Sequence, residues 1–324
     1  MRLPSLRPLL AALGGLALLG SGFAVPAEAA AGSPLPVAPY VDMGEWPTPS
    51  LSGMSAASGV KGFTLAFVNS FGCKASWFGA YDPRTAWQAD EVAKIRNAGG
   101  DVKISFGGAS GIELAQACST SAQVAAEYDA VVKAYGLKYL DLDIEGAAVA
   151  DPTSIARRSQ AMKTVQSNNP GLKISLTLPA LPSGLTSDGL NVVKSAKNAG
   201  VNLDLVNIMA MDYYQGPADQ GAKAIAAAKA TQAQLKSLYG LSDAAAWKKV
   251  GVTPMIGVND SGNEIFYQKD ATALVNFAKT VHLGMLSYWE QGRDANACNG
   301  ALYKCTNVPQ QPYEFGKIFR GYTG

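Results

Sequence analysis

Residues 138–146 read Lys-Tyr-Leu-Asp-Leu-Asp-Ile-Glu-Gly, so the acids Asp141, Asp143 and Glu145 alternate with the apolar Leu140, Leu142 and Ile144. Successive side chains of a β-strand point to opposite faces, and this alternation sends all three carboxyl groups to one side. Like charges this close cannot all stay ionised where solvent is scarce, so at least one is expected to hold a proton near neutral pH. A protonated carboxyl held in place is the equipment of general acid catalysis. Three plainer readings compete: a solvated edge strand, a structural cluster of ion pairs, and the start of a calcium loop. The apolar opposite face and the stop at Gly146 speak against the edge strand. Counted from Asp141, the twelfth position of a calcium loop falls on Pro152, where a bidentate Glu is required.

Neighbouring elements must hold such a strand. Short β-type runs at 37–43, 62–69, 102–106, 139–145, 173–178, 205–211, 250–256 and 283–289 alternate with amphipathic stretches. Thr85-x-x-Gln88 resembles a capping box ahead of Trp87, Val92 and Ile95, and Asp151-Pro152 supplies an N-cap and first turn before Ile155, Met162 and Val165. Val124, Tyr128, Val131, Val132 and Tyr135 mark the helical face that precedes the acidic strand, and Gly99-Gly100, Gly200 and Gly240 mark helix ends. Strands separated by helices imply a parallel sheet, and eight such units favour a closed (β/α)8 TIM barrel over a doubly wound sheet. The expected fold class is therefore α/β.

Chemistry in such a barrel sits at the C-terminal ends of the strands. Glu145 closes the fourth. Ser105, Gly107 and Gly108 end the third, Met211-Asp212-Tyr213-Tyr214 the sixth, and Tyr288-Trp289-Glu290 the eighth, while Trp46 and Trp77 follow the first and second. Each aromatic could simply fill the core. Gathered at one rim they would line a cleft suited to sugar rings, whose C–H faces stack on aromatics.

Arg2 and Arg7, an apolar run over 9–19 and the small residues of 27–31 make a secretory signal peptide over 1–29, too short for a good membrane span. Its removal leaves about 295 of the 324 residues: a short Pro-containing segment at 30–36 and one domain over 37–324. The protein is expected to be secreted and extracellular, with no membrane association after cleavage. With a net charge of +2 and charged residues at 16% of the chain, nothing points to a nucleic acid or an anionic membrane as partner. Four cysteines in an exported chain with no Cys-x-x-Cys and the single histidine His282 favour disulfides over a metal site, expected as Cys73–Cys118 and Cys298–Cys305. No metal or cofactor is expected.

Taken together, the Ser-x-Gly-Gly at Ser105–Gly108, the Asp-x-Asp-x-Glu at Asp141–Glu145, the Met-x-x-Asp ending at Asp212 and Trp289 resemble the bacterial chitinases of glycoside hydrolase family 18, over essentially the whole mature chain. The resemblance implies hydrolysis of β-1,4 bonds between N-acetylglucosamine units with retention, the sugar's own acetamido oxygen acting as nucleophile, an exception to the two-carboxylate scheme. It makes Glu145 the acid and then the base, Asp143 the group that orients the acetamido, and Asp141 the partner that sets their proton affinities. Asp212 and Tyr213 would hold the acetamido group from the opposite wall. Trp289 would be the floor, with Trp46, Tyr214, Ser105, Gly107, Gly108 and Arg293 as substrate contacts. Arg293 and Asp294 could alternatively form an ion pair that steadies their loop.

The motif departs from the family's usual form in two places. Lys138 and Tyr139 stand where a further Asp and a Gly are usual, and Met211 replaces a Tyr, leaving its role to Tyr213 or Tyr214. Short segments after the second and seventh strands leave no room for the family's inserted α+β subdomain, which implies an open cleft and internal cutting. Chitin or N-acetylglucosamine oligosaccharides are the expected partners of a monomer. Two other classes stay open: an endo-β-N-acetylglucosaminidase acting on N-glycans, and a non-catalytic sugar-binding barrel.

Overall fold

In the computed structural model, which describes Met1 and residues 35–324, eight strands lie side by side in chain order and every neighbouring pair among them is parallel. They are β1 (Tyr40–Asp42), β2 (Gly62–Ser70), β3 (Asp101–Gly107), β4 (Tyr139–Asp143), β5 (Lys173–Leu181), β6 (Leu203–Met209), β7 (Val250–Thr253) and β8 (Met285–Leu286). The Ala38 and Tyr40 amides donate to the Leu286 and Tyr288 carbonyls, both at 3.0 Å, and so close the sheet on itself. The result is the expected (β/α)8 barrel, within the unit Gly32–Gly324. The signal peptide expected over 1–29 lies outside the described residues.

Alternation along the strands has two different destinations. Ile104, Leu140, Leu142, Ile174, Leu176, Val206, Ile208 and Val252 belong to the large apolar cluster formed with the helices. The residues between them face the barrel axis. Ala38, Tyr139, Leu205 and Met285, with Leu35, form a small apolar cluster of their own. Further along the strands, Tyr40, Ser105, Asp141, Ser175, Thr177, Asn207 and Thr253 form a buried hydrogen-bonded network instead. Barrel interiors are dominated by bulky branched side chains. A polar interior must satisfy every member of its network, which fixes the rotamers just beneath the C-terminal rim.

Two helix starts illustrate how far local signals reach. Asp151 caps the helix Pro152–Asn168 as its Asp-Pro signature predicts, accepting from the Thr153 and Ser154 amides at 3.2 and 3.0 Å. The capping box expected at Thr85-x-x-Gln88 does not form. Asp82 instead caps a short 3-10 turn, Pro83–Thr85, and the following helix begins at Ala89 without a side-chain cap. The Asp82 carboxylate reaches the nearer Arg84 amide at 2.9 Å and starts the turn before Thr85 can act.

Both expected disulfides are present, Cys73–Cys118 and Cys298–Cys305. The first ties the tip of an antiparallel hairpin, formed by β2 and the strand Ala75–Trp77, to the end of the helix Leu114–Ala117. After β7 come only a small hairpin, Gly257–Val258 with Ile265–Phe266, and the helix Gln268–Val281. No α+β subdomain is inserted there. Among the described residues no helix is long and apolar enough to cross a membrane.

Candidate active site

Asp143, Met209 and Thr253 are the last residues of β4, β6 and β7, and all three line one cavity of about 500 Å³. Tyr40, Phe67, Glu145, Thr177, Asp212, Tyr214, Met255, Asp260 and Trp289 share its wall.

The three acids of the opening motif divide by depth. Asp141 is buried beneath the cavity, where four hydroxyls converge on it: Tyr40 at 3.0 Å, Ser105 at 2.7 Å, Ser175 at 2.5 Å and Thr177 at 3.0 Å. Asp143 reaches the cavity but is only 4% exposed, and its Oδ1 is buried without a partner. Burial, then the charges of Glu145 and Asp141, push its carboxyl well above the usual range. Glu145 lies just past the end of β4, in extended conformation ahead of the left-handed Gly146. Burial and the charge of Asp212 raise it to about 7. One carboxyl of ordinary chemistry is thus converted into an acid that still carries its proton near neutrality.

Asp212 and Tyr214 face these acids from the loop after β6, both with left-handed φ (48° and 55°). Asp212 Oδ1 accepts from the Ser261 amide at 2.8 Å, and its own amide donates to Asn259 Oδ1 at 3.2 Å. Burial raises its pKa; the Ser261 amide opposes this, and the charges of Asp260 and Glu264 add to it. Trp289 is stacked on Phe67 with ring centroids 5.6 Å apart and planes 14° from parallel, and Tyr40 tilts against both. Its half-buried indole supplies a flat apolar surface inside the cavity.

Several residues singled out from sequence lie elsewhere. Ser105 is fully buried and donates to Asp141, so it supports the acids and cannot touch a ligand in the cavity. Gly107 and Gly108 are outside the wall as well. A Cβ on Gly107 would sit 2.1 Å from the Asp143 carbonyl oxygen, and one on Gly108 would sit 2.6 Å from the Phe67 ring, so these glycines let the strands approach. Tyr213 is 4% exposed and packed in the core, its hydroxyl unpartnered; of the two tyrosines it is Tyr214 that lines the cavity. Trp77 turns inward and donates to the Tyr135 hydroxyl at 2.9 Å. Trp46 is 84% exposed and stands outside the cavity wall. Arg293 is fully buried and donates to the Val258 carbonyl at 2.7 Å, while Asp294 accepts from the Phe315 and Gly316 amides, so the alternative ion pair between them does not form. Met209 is the first residue of the Met-x-x-Asp motif, whereas no motif in the sequence singles out Thr177, Thr253, Met255 and Asp260, which also line the cavity. The inward alternation of Ser175 and Thr177 along β5 was the signal available for Thr177.

A sequence model of the family described as Glycosyl hydrolases family 18 matches residues 40–315, a span that holds every cavity residue named above. The chain belongs to this family. The family 18 chain is 38% identical over 306 residues to a probable bifunctional chitinase/lysozyme of Escherichia coli K12, covering 88% of this chain and 34% of that protein. It is 38% identical over 283 residues to Endochitinase 11 of Metarhizium anisopliae, covering 83% of this chain and 54% of that one. It thus spans about a third and about half the length of these two relatives. The crystal structure of the catalytic domain of a hyperthermophilic chitinase from Pyrococcus furiosus superposes with a TM-score of 0.82 at 34% identity, covering 90% of this chain and 96% of that chain. Catalytic-site mutants of the Pyrococcus chitinase have also been solved in complex with chito-oligosaccharides.

Proposed function

We propose that this family 18 chain is a chitinase, hydrolysing β-1,4 bonds between N-acetylglucosamine units with retention through the substrate's own acetamido group. The observation that carries the reading is the pairing of Glu145, raised to about 7, with the buried Asp143 in one cavity. In the first step the acetamido carbonyl oxygen forms a bond to the anomeric carbon and the glycosidic bond breaks. The departing oxygen takes the Glu145 proton. Asp143 accepts the acetamido N–H on the oxygen that has no protein partner and so orients the group for attack. Glu145, now a carboxylate, then takes a proton from the water that reopens the ring on the same face. Trp289 forms the floor under the sugar, and Asp212 with Tyr214 forms the opposite wall.

Anomer-resolved proton NMR of the first products tests this. The β-anomer must precede mutarotation; an initial α-anomer overturns the reading.

Internal cutting is part of the same proposal, since the segments after β2 and β7 are short hairpins that insert no subdomain beside the cavity. Soluble chitin should lose viscosity before disaccharide accumulates; early disaccharide at constant viscosity contradicts it. Export is also proposed, supported by the basic-then-apolar start of the chain and by two disulfides, which persist in oxidising compartments. Appearance of the chain in the medium, processed near residue 30, is the expected result.

A further inference from the structure

Asp212 and Tyr214 hold left-handed backbone conformations, which Asp tolerates through its short polar side chain and Tyr adopts only where its surroundings over-determine it. Glu264 lies behind this loop. Its carboxylate is fully buried and accepts from the Gln215 amide at 3.1 Å, the Tyr214 amide at 3.3 Å, the Ser261 hydroxyl at 3.2 Å and the Lys223 ammonium at 3.2 Å. Its own carbonyl accepts from the Asn259 amide at 2.9 Å and closes the turn 259–264. That turn grips Asp212 twice, through the Ser261 amide and through Asn259 Oδ1. Asn259 is anchored in turn by donating to the Met255 and Gly257 carbonyls. Four donors on one carboxylate therefore join the loop after β6 to the turn after β7. Neither the turn nor Glu264 lies within the four motifs that identify the family.

We propose that Glu264 is a positioning residue for the reaction: it locks the turn 259–264 onto the loop 212–215 and thereby holds the Asp212 carboxylate and the Tyr214 side chain in the cavity facing Glu145. The proposal rests on Glu145 being the acid. Asp212 is surrounded by the charges of Glu145, Asp260 and Glu264, with Arg293 as a nearby cation and Lys223 paired to Glu264. With the lock released, Asp212 moves away from these neighbours and Glu145 loses the anion that helps to keep it protonated.

The test compares Glu264→Ala with Glu264→Gln. Glutamine can keep Gln215 and Lys223 on its amide oxygen and donate to Ser261, losing only the longest bond, to Tyr214. Glu264→Ala should lose on the order of 10 to 10² in kcat on a chito-oligosaccharide, with a smaller change in KM. The alkaline limb of its rate profile should move to lower pH by roughly half a unit or more, while Glu264→Gln stays nearer the parent on both counts. An Ala variant that melts earlier but keeps kcat and the limb makes Glu264 merely structural and overturns the proposal. Equal shifts in both variants overturn it too, because the lost charge rather than the lost lock would then be acting. Carbon-13 NMR titration of Glu145, assigned with Glu145→Gln, reads the same shift without turnover, so an inactive parent would defeat the catalytic reading while leaving this measurement decisive.

Discussion

Gly107 at the end of β3 lies opposite Asp143 at the end of β4, and a Cβ on that glycine would meet the Asp143 carbonyl oxygen at 2.1 Å. The glycine also has a φ of +102°, which penalises any side chain there. Gly107→Ala should therefore destabilise the fold by about 2 kcal/mol or more. It should also depress kcat beyond what the folded fraction explains, because the displaced carbonyl belongs to Asp143, the residue proposed to hold the acetamido group. Urea unfolding and single-turnover rates on the same sample separate the two effects.

Ser105 acts from below. Its hydroxyl is fully buried and donates to Asp141 at 2.7 Å inside the network beneath the cavity. Removing one donor from a buried carboxylate costs about 1.5–3 kcal/mol. Ser105→Ala should lose stability of that order and lower kcat with KM unchanged, since the hydroxyl is outside the cavity. A raised KM with unchanged kcat would return Ser105 to the substrate contacts.

Glu145 links activity to stability with opposite signs. Its pKa is raised from 4.5 to about 7 in the fold, so folding favours the protonated form. The stability that goes with this is full below about pH 4.5 and is lost as pH rises through about 7. Glu145→Gln removes the penalty: at pH 8 the variant should be more stable than the parent by up to about 3 kcal/mol, with no such gain at pH 4. In the parent, kcat/KM should fall about tenfold per unit above pH 7, as the acid loses its proton. Thermal melts and rate profiles over pH 4–9 check both.

The neighbouring tyrosines should separate cleanly. Tyr214 lines the cavity and is 76% exposed, whereas the Tyr213 hydroxyl is buried without a partner. Tyr214→Phe should lower kcat/KM by roughly tenfold, about the worth of one hydrogen bond to the substrate. Tyr213→Phe should leave activity intact and the melting temperature unchanged or higher, because an unsatisfied buried hydroxyl is removed. Steady-state kinetics of the two variants decide the matter.

The barrel was legible because its signals are local. Short apolar runs between capped helices mark the strands, and period-two alternation marks Asp141, Asp143 and Glu145 on one face. Depth was not legible. Sequence places Ser105 and Asp143 alike on the inward side of strands, yet one hydroxyl is sealed under the other's cavity by the register of β3 on β4. Trp77 follows β2 as predicted, but its strand turns back antiparallel and carries the indole into the core. Glu264 was silent because its meaning lies in contacts with Tyr214 and Gln215, about fifty residues earlier.

The most direct test of the catalytic reading is one incubation series. The purified chain and its Glu145→Gln variant are given an N-acetylglucosamine oligosaccharide and the same oligosaccharide fully deacetylated, and products are followed by mass. Cleavage of the acetylated chain alone by the parent, with a loss of roughly 10² to 10⁴ in the variant, is the predicted result. Equal cleavage of the deacetylated chain, or full activity without the Glu145 carboxyl, would contradict it.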